Sequence, residues 1–279
     1  MTNRPTDRFA RLPRYVEERA RTTTLAHVPT HLAHPDWQTP APTVIWLHGR
    51  TAHKELDPGR YLRWLRAGIA ACAVDLPFHG ERLDQSRQGP DHSLDLLERA
   101  VAEIDRIIEA LAAPEYVGLF DADRLAIGGM SAGGMVALRR LCDDHPFRAA
   151  SVEATCGNLL ELYRPDLVPG ADRNRTWDVS HDPARIEPLD PMTHLATWRP
   201  IPLLAAHSEA DRLVPFAPQS RFIDALRAHY AATGADPSLI YFLTWPDTGA
   251  PYEHLGFGRH SNDAKNAQTT FLSSRLNPR

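Results

Sequence analysis

Residues 124–133 read RLAIGGMSAG, and this stretch decides the fold of the chain. Residues 124–127 form a short, mostly apolar stretch, which is typical of a buried strand, and residues 132–141 have the pattern of a helix. Residues 129–133, GMSAG, match G-x-S-x-G, in which a serine on a sharp strand-to-helix turn projects its hydroxyl above the sheet edge. The glycines relieve crowding at so strained a turn. Ser131 is therefore a candidate nucleophile; the alternative is a glycine-rich turn whose serine only caps a helix.

Strand and helix patterns alternate along the rest of the chain. Apolar strand candidates lie at residues 43–47, 70–74, 149–154, 201–206 and 239–243, and helix candidates at residues 61–65, 93–111, 215–231 and 262–276. Apolar residues recur at helical spacing throughout 93–111, and Ser93 is its predicted N-cap. Short apolar strands without polar alternation, joined by helices, are typical of a parallel sheet covered on both faces. The sequence therefore predicts an α/β fold.

Composition excludes several classes of protein. The 279 residues include 43% hydrophobic and 24% charged residues, which is typical of a globular protein and not of a disordered or coiled-coil chain. The net charge of −4 provides no positive field for nucleic acid or anionic lipid. Neither a nucleic acid nor a membrane is therefore an expected partner, and the oligomeric state is not predicted.

The cysteines and the hydropathy of the chain indicate in which cellular compartment the protein is expected. Cys72, Cys142 and Cys156 are far apart and have no C-x-x-C spacing, so neither a disulfide framework nor a thiolate zinc site is predicted. No apolar run approaches the roughly 18 residues of a membrane span, and the N-terminus lacks the apolar core of a secretory signal. We expect a soluble cytoplasmic protein.

Residues 157–199 interrupt the alternating pattern with much Pro, Asp and Arg and little periodicity. So long a loop is uncommon in a compact domain unless it is functional, so we interpret it as a lid insertion with short helices. Its aromatic and apolar residues either line an acyl or aromatic pocket or simply pack on the domain: Tyr163, Leu167 and Trp177. Its arginines either select an acidic substrate or reflect a chain that has 29 arginines and two lysines: Arg164, Arg173, Arg175 and Arg185.

Residues 1–40 form an N-terminal extension of the single domain that we predict over residues 1–279. The arginines at positions 4, 8, 11, 14, 19 and 21 predict a solvated helix. His27, His31, His34 and Asp36 have some metal-ligand spacing, but the segment is more typical of edge strands or a hairpin. We therefore predict unligated surface histidines there.

A serine nucleophile needs an imidazole base, and the base needs a carboxylate that orients it. In this type of fold the expected order along the chain is serine, acid, histidine. Asp211 follows the strand candidate 201–206 and is the predicted acid, with Glu209 as the alternative and a capping role for Asp211 as a second one. His254 is the predicted base, with His260 as the alternative. We favour His254 because nearby glycines suit a tightly folded histidine loop, whereas His260 is close to the last helix.

Two backbone N–H groups should stabilise the oxyanion that such a nucleophile generates. One is expected from Ala132, directly after the serine. The other is expected from Arg50, in the turn that follows the first central strand. His48 lies in the same turn, and we expect it to brace the loop rather than act as a base.

These motifs together resemble the α/β-hydrolase superfamily over residues 43–276. The resemblance is carried by LHG at 47–49, DLPFHGER at 75–82, GMSAG at 129–133, DRLVP at 211–215 and His254. The chain looks most like the small serine esterases grouped with dienelactone-hydrolase-like and prolyl-oligopeptidase-like catalytic domains. The resemblance implies an eight-stranded, mostly parallel sheet and a triad of Ser131, Asp211 and His254.

Two departures refine the expected function. Dienelactone hydrolases use cysteine where Ser131 stands, and no propeller domain of the oligopeptidase type is expected here. We therefore expect a carboxylic ester hydrolase that acts on small to medium acyl esters through an acyl-enzyme, with a small-molecule ester as its partner and without a metal or organic cofactor. The alternatives are a serine peptidase or thioesterase with the same triad, or a non-catalytic binding protein of this fold.

Overall fold

The central feature of the fold is one eight-stranded sheet, described here from a computed structural model that covers residues 12–171 and 177–277. The strands are β1 (Ala20–Leu25), β2 (Val28–Ala33), β3 (Ala41–Leu47), β4 (Ala70–Val74), β5 (Phe120–Met130), β6 (Ala149–Glu153), β7 (Leu203–Ser208) and β8 (Ile240–Trp245). Their order is β1-β2-β4-β3-β5-β6-β7-β8. β1 and β2 form an antiparallel hairpin, β2 pairs antiparallel with β4, and the other neighbours are parallel. The predicted eight-stranded, mostly parallel sheet is confirmed.

Helices cover both faces of the sheet. In the described part of the chain they are α1 (Arg14–Glu17), α2 (Pro58–Arg66), α3 (Ser93–Leu111), α4 (Ala132–Arg140), α5 (Leu159–Tyr163), α6 (Pro183–Ile186), α7 (Phe216–Ala232) and α8 (Ser261–Leu276). Apolar residues of α1, α2 and α8 pack on one face, and those of α3, α4 and α7 pack on the other. No helix within residues 12–171 and 177–277 is long and apolar enough to cross a membrane.

Strand β3 shows why these strands are apolar without alternation. Val44 and Trp46 belong to the core that α2 and α8 cover, whereas Ile45 and Leu47 belong to the core on the opposite face. Successive side chains of a strand point to opposite faces, so a strand buried on both sides needs apolar residues throughout. Strands β3, β5, β6 and β7 are parallel neighbours, so their carboxyl ends meet at one sheet edge. In sheets of this kind, functional turns lie at that edge.

The predicted N-terminal helix is present only in part among the described residues. A helix occupies only Arg14–Glu17, and Arg21 lies in β1, where it pairs with Leu32 of β2. Arg4, Arg8 and Arg11 lie outside the described residues. The hairpin replaces the helix because β1 gains a complete ladder of backbone hydrogen bonds from β2.

The prediction of surface histidines was also wrong for two of the three. His31 and His34 are 1% and 0% exposed, because β2 lies between β1 and β4 and is not an edge strand. His34 Nε2 donates to the carbonyl oxygen of Leu119 at 2.9 Å, and its Nδ1 accepts from the N–H of Trp37 at 2.7 Å. Both ring nitrogens of His34 therefore have structural roles.

Candidate active site

Ser131 occupies the sharp turn between β5 and α4. Its backbone has φ 54° and ψ −121°, a positive φ that a residue with a side chain rarely adopts. The turn is held from both sides: the Ser131 N–H donates to the carbonyl oxygen of Glu153 at 2.9 Å, and the Ser131 carbonyl oxygen accepts from the N–H of Met135 at 3.0 Å. Such strain persists only where the surroundings impose it, and it is concentrated at functional sites.

The two flanking glycines are required by the close approach of backbone segments. A Cβ on Gly129 would lie 2.4 Å from the carbonyl carbon of Gly133. A Cβ on Gly133 would lie 2.2 Å from the carbonyl oxygen of Leu47, at the end of β3. The G-x-S-x-G spacing therefore lets the turn fold tightly against the neighbouring strand.

Asp211 and His254 are brought together from two loops at the same sheet edge. His254 Nδ1 lies 2.7 Å from Asp211 Oδ2, and each residue is only 4% exposed. The other carboxylate oxygen of Asp211 accepts from the N–H groups of Leu213 and Val214, both at 2.8 Å. With Nδ1 donating to the carboxylate, Nε2 of His254 is left to accept a proton. One carboxylate thus shapes its own turn and orients the imidazole.

Ser131 and His254 both line a cavity of about 860 Å³. That size is within the range of pockets for small ligands. Within the part of the chain that the structure describes, Ser131 Oγ has no hydrogen-bond partner. Catalytic hydrogen bonds are often long in a free site and shorten when substrate binds.

The alternative acid and base lie elsewhere. Glu209 accepts a hydrogen bond from the hydroxyl of Thr244 at 2.8 Å and is exposed. His260 stacks on Trp245 with ring centroids 5.4 Å apart, and its Nδ1 lies 3.5 Å from Asp263. The structure therefore pairs Asp211 with His254 and leaves both alternatives outside the cavity.

The turn after β3 lies directly against the serine. A Cβ on Gly49 would be 3.4 Å from the Cβ of Ser131, and Arg50 and Ala132 line the same cavity. Ala132 is the first residue of α4, where helical N–H groups have no partner within the helix. These are the two positions predicted to supply oxyanion donors.

His48 braces this turn, as predicted. Its Nδ1 donates to the carbonyl oxygen of Gly49 at 2.7 Å, and its Nε2 accepts from the N–H of Leu76 at 3.0 Å. Burial lowers the pKa of His48 to about 4, so the ring is neutral near pH 7. Both nitrogens are occupied, which leaves none for base catalysis.

Glu253 holds the histidine loop in a strained conformation, and sequence analysis missed it. Its carboxylate accepts from the Ser208 hydroxyl, from the N–H and hydroxyl of Thr248, and from the N–H of Gly249. Tyr252, Glu253 itself and Phe257 all have positive φ. Desolvation opposes the charge, but these hydrogen bonds lower the pKa of Glu253 to about 2. Because charged acceptors bind donors strongly, Glu253 fixes the backbone immediately before His254.

We expect Glu253→Gln to lower kcat/KM by about tenfold to a hundredfold, because small displacements of a positioned group cost up to about 10²-fold. The amide retains one acceptor oxygen and turns an NH₂ toward donors. If His254 is the base, as predicted from the sequence, the loss should appear in kcat and not in KM, because the change displaces its imidazole. Glu209→Gln is the matched control on a neighbouring loop and should retain wild-type rates. Equal rates in both variants would contradict the role of Glu253.

Charged side chains form one wall of the cavity, a second feature that sequence analysis missed. Arg60 donates two hydrogen bonds of 2.8 Å to Glu153, one to each carboxylate oxygen, and lies over the Trp46 ring at 4.1 Å. Lys265 lies 3.1 Å from Asp57, which also pairs with Arg60. The sequence signal was Glu153, a carboxylate at the end of an apolar strand candidate.

Comparisons with known proteins identify the family. Residues 98–277, which carry the serine turn, Asp211 and His254, match the model of the prolyl oligopeptidase family. The chain belongs to this family. It is therefore a serine hydrolase of the prolyl oligopeptidase family, in agreement with the resemblance found in its motifs.

The chain is similar in sequence to an esterase and similar in fold to a peptidase. Esterase YjfP of Escherichia coli is 30% identical over 224 residues, which cover 77% of this chain and 86% of that protein. The structure of TT1662 from Thermus thermophilus has a TM-score of 0.68 at 22% identity and covers 94% of this chain and 99% of that one. The acylaminoacyl peptidase of Pyrococcus horikoshii has a TM-score of 0.68 at 17% identity, and the match covers 93% of this chain and 42% of that one. The two structural likenesses show the shared fold.

Within this prolyl oligopeptidase family fold, residues 157–199 contribute directly to the cavity. Leu162, Tyr163 and Trp177 line it, and the Trp177 indole N–H donates to the carbonyl oxygen of Leu213 at 2.7 Å. Of the two alternatives given for Tyr163 and Trp177, the structure places both residues on the lining of the cavity. Leu167 is 48% exposed and does not line the cavity.

The arginines of residues 157–199 do not face the cavity where they are described. Arg164 pairs with Asp166 at 2.8 Å, and Arg185 pairs with Asp95 at 2.6 Å. Arg173 and Arg175 lie outside the described residues. Arg164 and Arg185 therefore already have carboxylate partners, and neither is a candidate for substrate selection.

Proposed function

We propose that the chain hydrolyses carboxylic esters of small to medium acyl groups, with Ser131 as nucleophile, His254 as base and Asp211 as the residue that orients it. The observation that carries the proposal is the 2.7 Å contact between His254 Nδ1 and Asp211 Oδ2 at the wall of the cavity that holds the strained Ser131. A buried carboxylate on Nδ1 selects the tautomer whose Nε2 accepts a proton.

The reaction then follows in two halves. Ser131 Oγ attacks the ester carbonyl carbon while His254 Nε2 takes the hydroxyl proton. The N–H groups of Arg50 and Ala132 stabilise the resulting oxyanion, and one such donor is worth about 3–4 kcal/mol. His254 returns the proton to the departing alcohol, which leaves an acyl-enzyme on Ser131. Water activated by His254 attacks this acyl group and releases the acid.

The lining of the cavity favours esters over peptides. Among the described residues, its wall on the side of residues 157–199 is apolar and aromatic, with Leu162, Tyr163 and Trp177 beside Leu213 and Val214. An apolar wall suits an acyl chain, whereas a peptide needs backbone hydrogen-bond partners along its length. The name of the Escherichia coli relative, an esterase, supports the same choice. We further propose that residues 157–199 act as the lid of this pocket.

A substrate series tests the proposal. We expect p-nitrophenyl esters from acetyl to long acyl chains to be hydrolysed, with an optimum at short to medium length set by the cavity of about 860 Å³. Aminoacyl and peptidyl p-nitroanilides of similar size should react far more slowly. In parallel, a fluorophosphonate should block hydrolysis and add one label, which mass spectrometry should locate on Ser131.

The alternatives give different results. Rapid cleavage of anilides without ester turnover would replace the proposal by a peptidase, and a preference for acyl thioesters would replace it by a thioesterase. A label on any residue other than Ser131 would remove the assigned nucleophile.

A further inference from the structure

The charges that line the cavity do not cancel. Of the lining cations, Arg60 and Lys265 pair with the lining carboxylates of Glu153 and Asp57. Among the lining residues that the structure describes, the remaining fixed cation is Arg50. The described part of the cavity wall therefore carries one positive charge in excess, before any charge on His254 is counted.

Arg50 has no carboxylate partner among the described residues. Its guanidinium donates one hydrogen bond, to the carbonyl oxygen of Gln88 at 3.2 Å. Asp91 acts on it only from a distance; that carboxylate lies 3.3 Å from His92 instead. A guanidinium has five N–H donors, so most of those on Arg50 remain available.

Two arginines of the same cavity differ in how their charge is compensated. Burial disfavours the charge of Arg60, but Glu153 and Asp57 more than offset this and raise its pKa. Burial lowers the pKa of Arg50, and the charges of Tyr163 and Asp91 offset this only in part. A partly buried charge without a partner costs free energy, which a bound anion would recover.

We infer that the Arg50 guanidinium binds an anionic group of the substrate, a carboxylate or a phosphate, so that the preferred esters are acidic. This inference rests on the proposed function, because the backbone of Arg50 is assigned to the oxyanion of the same reaction. The side chain of that residue projects from beside the reacting carbonyl toward Gln88, where a charged end of the acyl or alcohol part would meet it. A planar guanidinium suits both anions because it can donate two parallel hydrogen bonds.

Matched ester pairs test the inference. For the acyl side, p-nitrophenyl hydrogen adipate is compared with p-nitrophenyl methyl adipate. For the alcohol side, 4-acetoxybenzoate and 4-acetoxyphenyl phosphate are each compared with methyl 4-acetoxybenzoate. The measured quantity is the ratio of kcat/KM for the acidic ester to that for its neutral counterpart.

We expect Arg50→Gln to lower this ratio by about tenfold to a hundredfold in at least one pair, the range for hydrogen bonds to a charged group. Arg50→Lys should keep part of it, and the control Arg164→Gln should keep it all. A shift of the Arg50 backbone would slow both esters of a pair and cancel in the ratio. The pair that responds identifies the side and the anion, and a ratio unchanged by Arg50→Gln in every pair would overturn the inference.

A binding measurement separates this inference from the proposed function. Calorimetry with Ser131→Ala should show tighter binding of monomethyl adipate than of dimethyl adipate, and adding Arg50→Gln should remove the difference. If no ester is hydrolysed but this difference is present, the proposed function fails and the anion site stands. If the two adipates bind equally, and 4-acetoxybenzoate and 4-acetoxyphenyl phosphate also bind no more tightly than methyl 4-acetoxybenzoate, the anion site is refuted whatever the activity.

Discussion

Replacement of Ser131 by alanine should lower kcat/KM for p-nitrophenyl butyrate by about 10⁴- to 10⁶-fold, the loss typical of a nucleophile that acts together with its base. The methyl group cannot form an acyl-enzyme, so only the oxyanion donors and substrate binding remain to accelerate attack by water. Stopped-flow measurements should show a p-nitrophenol burst with the wild type and none with the variant. Esters across the full acyl series should be affected alike, because the lost step is common to all of them.

The positive φ of 54° at Ser131 is strained for serine and for alanine alike, so Ser131→Ala should fold normally, and circular dichroism with thermal unfolding should verify this. Ser131→Cys is a useful partner variant, because it keeps a nucleophile in place and should retain measurable turnover. Hydrolysis by Ser131→Ala at more than about 1% of the wild-type rate, in a preparation free of contaminating esterase, would rule out the serine mechanism.

Local patterns in the sequence were enough to predict the serine turn and the most regular helix. The bounds of α3, Ser93–Leu111, agree with the prediction because apolar residues at helical spacing mark both ends of its buried face. The predicted N-cap was wrong: Ser93 is the first helical residue, and His92 is the N-cap. The turn was predictable because its glycines are required by close backbone contacts within a few residues and with the adjacent strand. Such signals are local, and the sequence displays them directly.

Features that depend on long-range pairing were not predictable in the same way. Nothing local shows that β2 adds to β4, so the burial of His31 and His34 was missed. The same is true of Arg60 and Glu153, which are 93 positions apart and meet only after α2 packs on the sheet. Those pairs require the strand order, which arises from the assembled fold.

The choice between acids and bases lies between these extremes. The expected order along the chain narrowed the acid to Asp211 or Glu209 and the base to His254 or His260. The loop that carries the two acids and the loop that carries the two histidines lie at the same sheet edge. The topology therefore explains why one of the acids contacts one of the histidines. The strained loop whose backbone Glu253 fixes by hydrogen bonds decides which histidine faces the cavity. Its strain comes from positive φ at residues with side chains, which cannot be recognised in a sequence.

His254→Gln should lower kcat/KM by about 10⁴-fold or more, and His260→Gln, the matched control, should leave it within about twofold of wild type. Glutamine can keep a hydrogen bond to Asp211 but cannot accept the Ser131 proton. His260 contacts Trp245 and Asp263 outside the cavity, so its loss removes only surface packing. The measurement is kcat/KM for p-nitrophenyl butyrate in both variants, with thermal unfolding as the check on folding.

The double variant of Ser131→Ala and His254→Gln makes this test stricter. If the serine and the histidine act as one unit, the double variant should be no slower than Ser131→Ala alone, because the first change already removes the step that the histidine assists. Additive losses would mean that His254 contributes through a separate route, such as substrate binding. A large loss in His260→Gln with little in His254→Gln would reverse the assignment, and the 2.7 Å contact between His254 and Asp211 would then be structural.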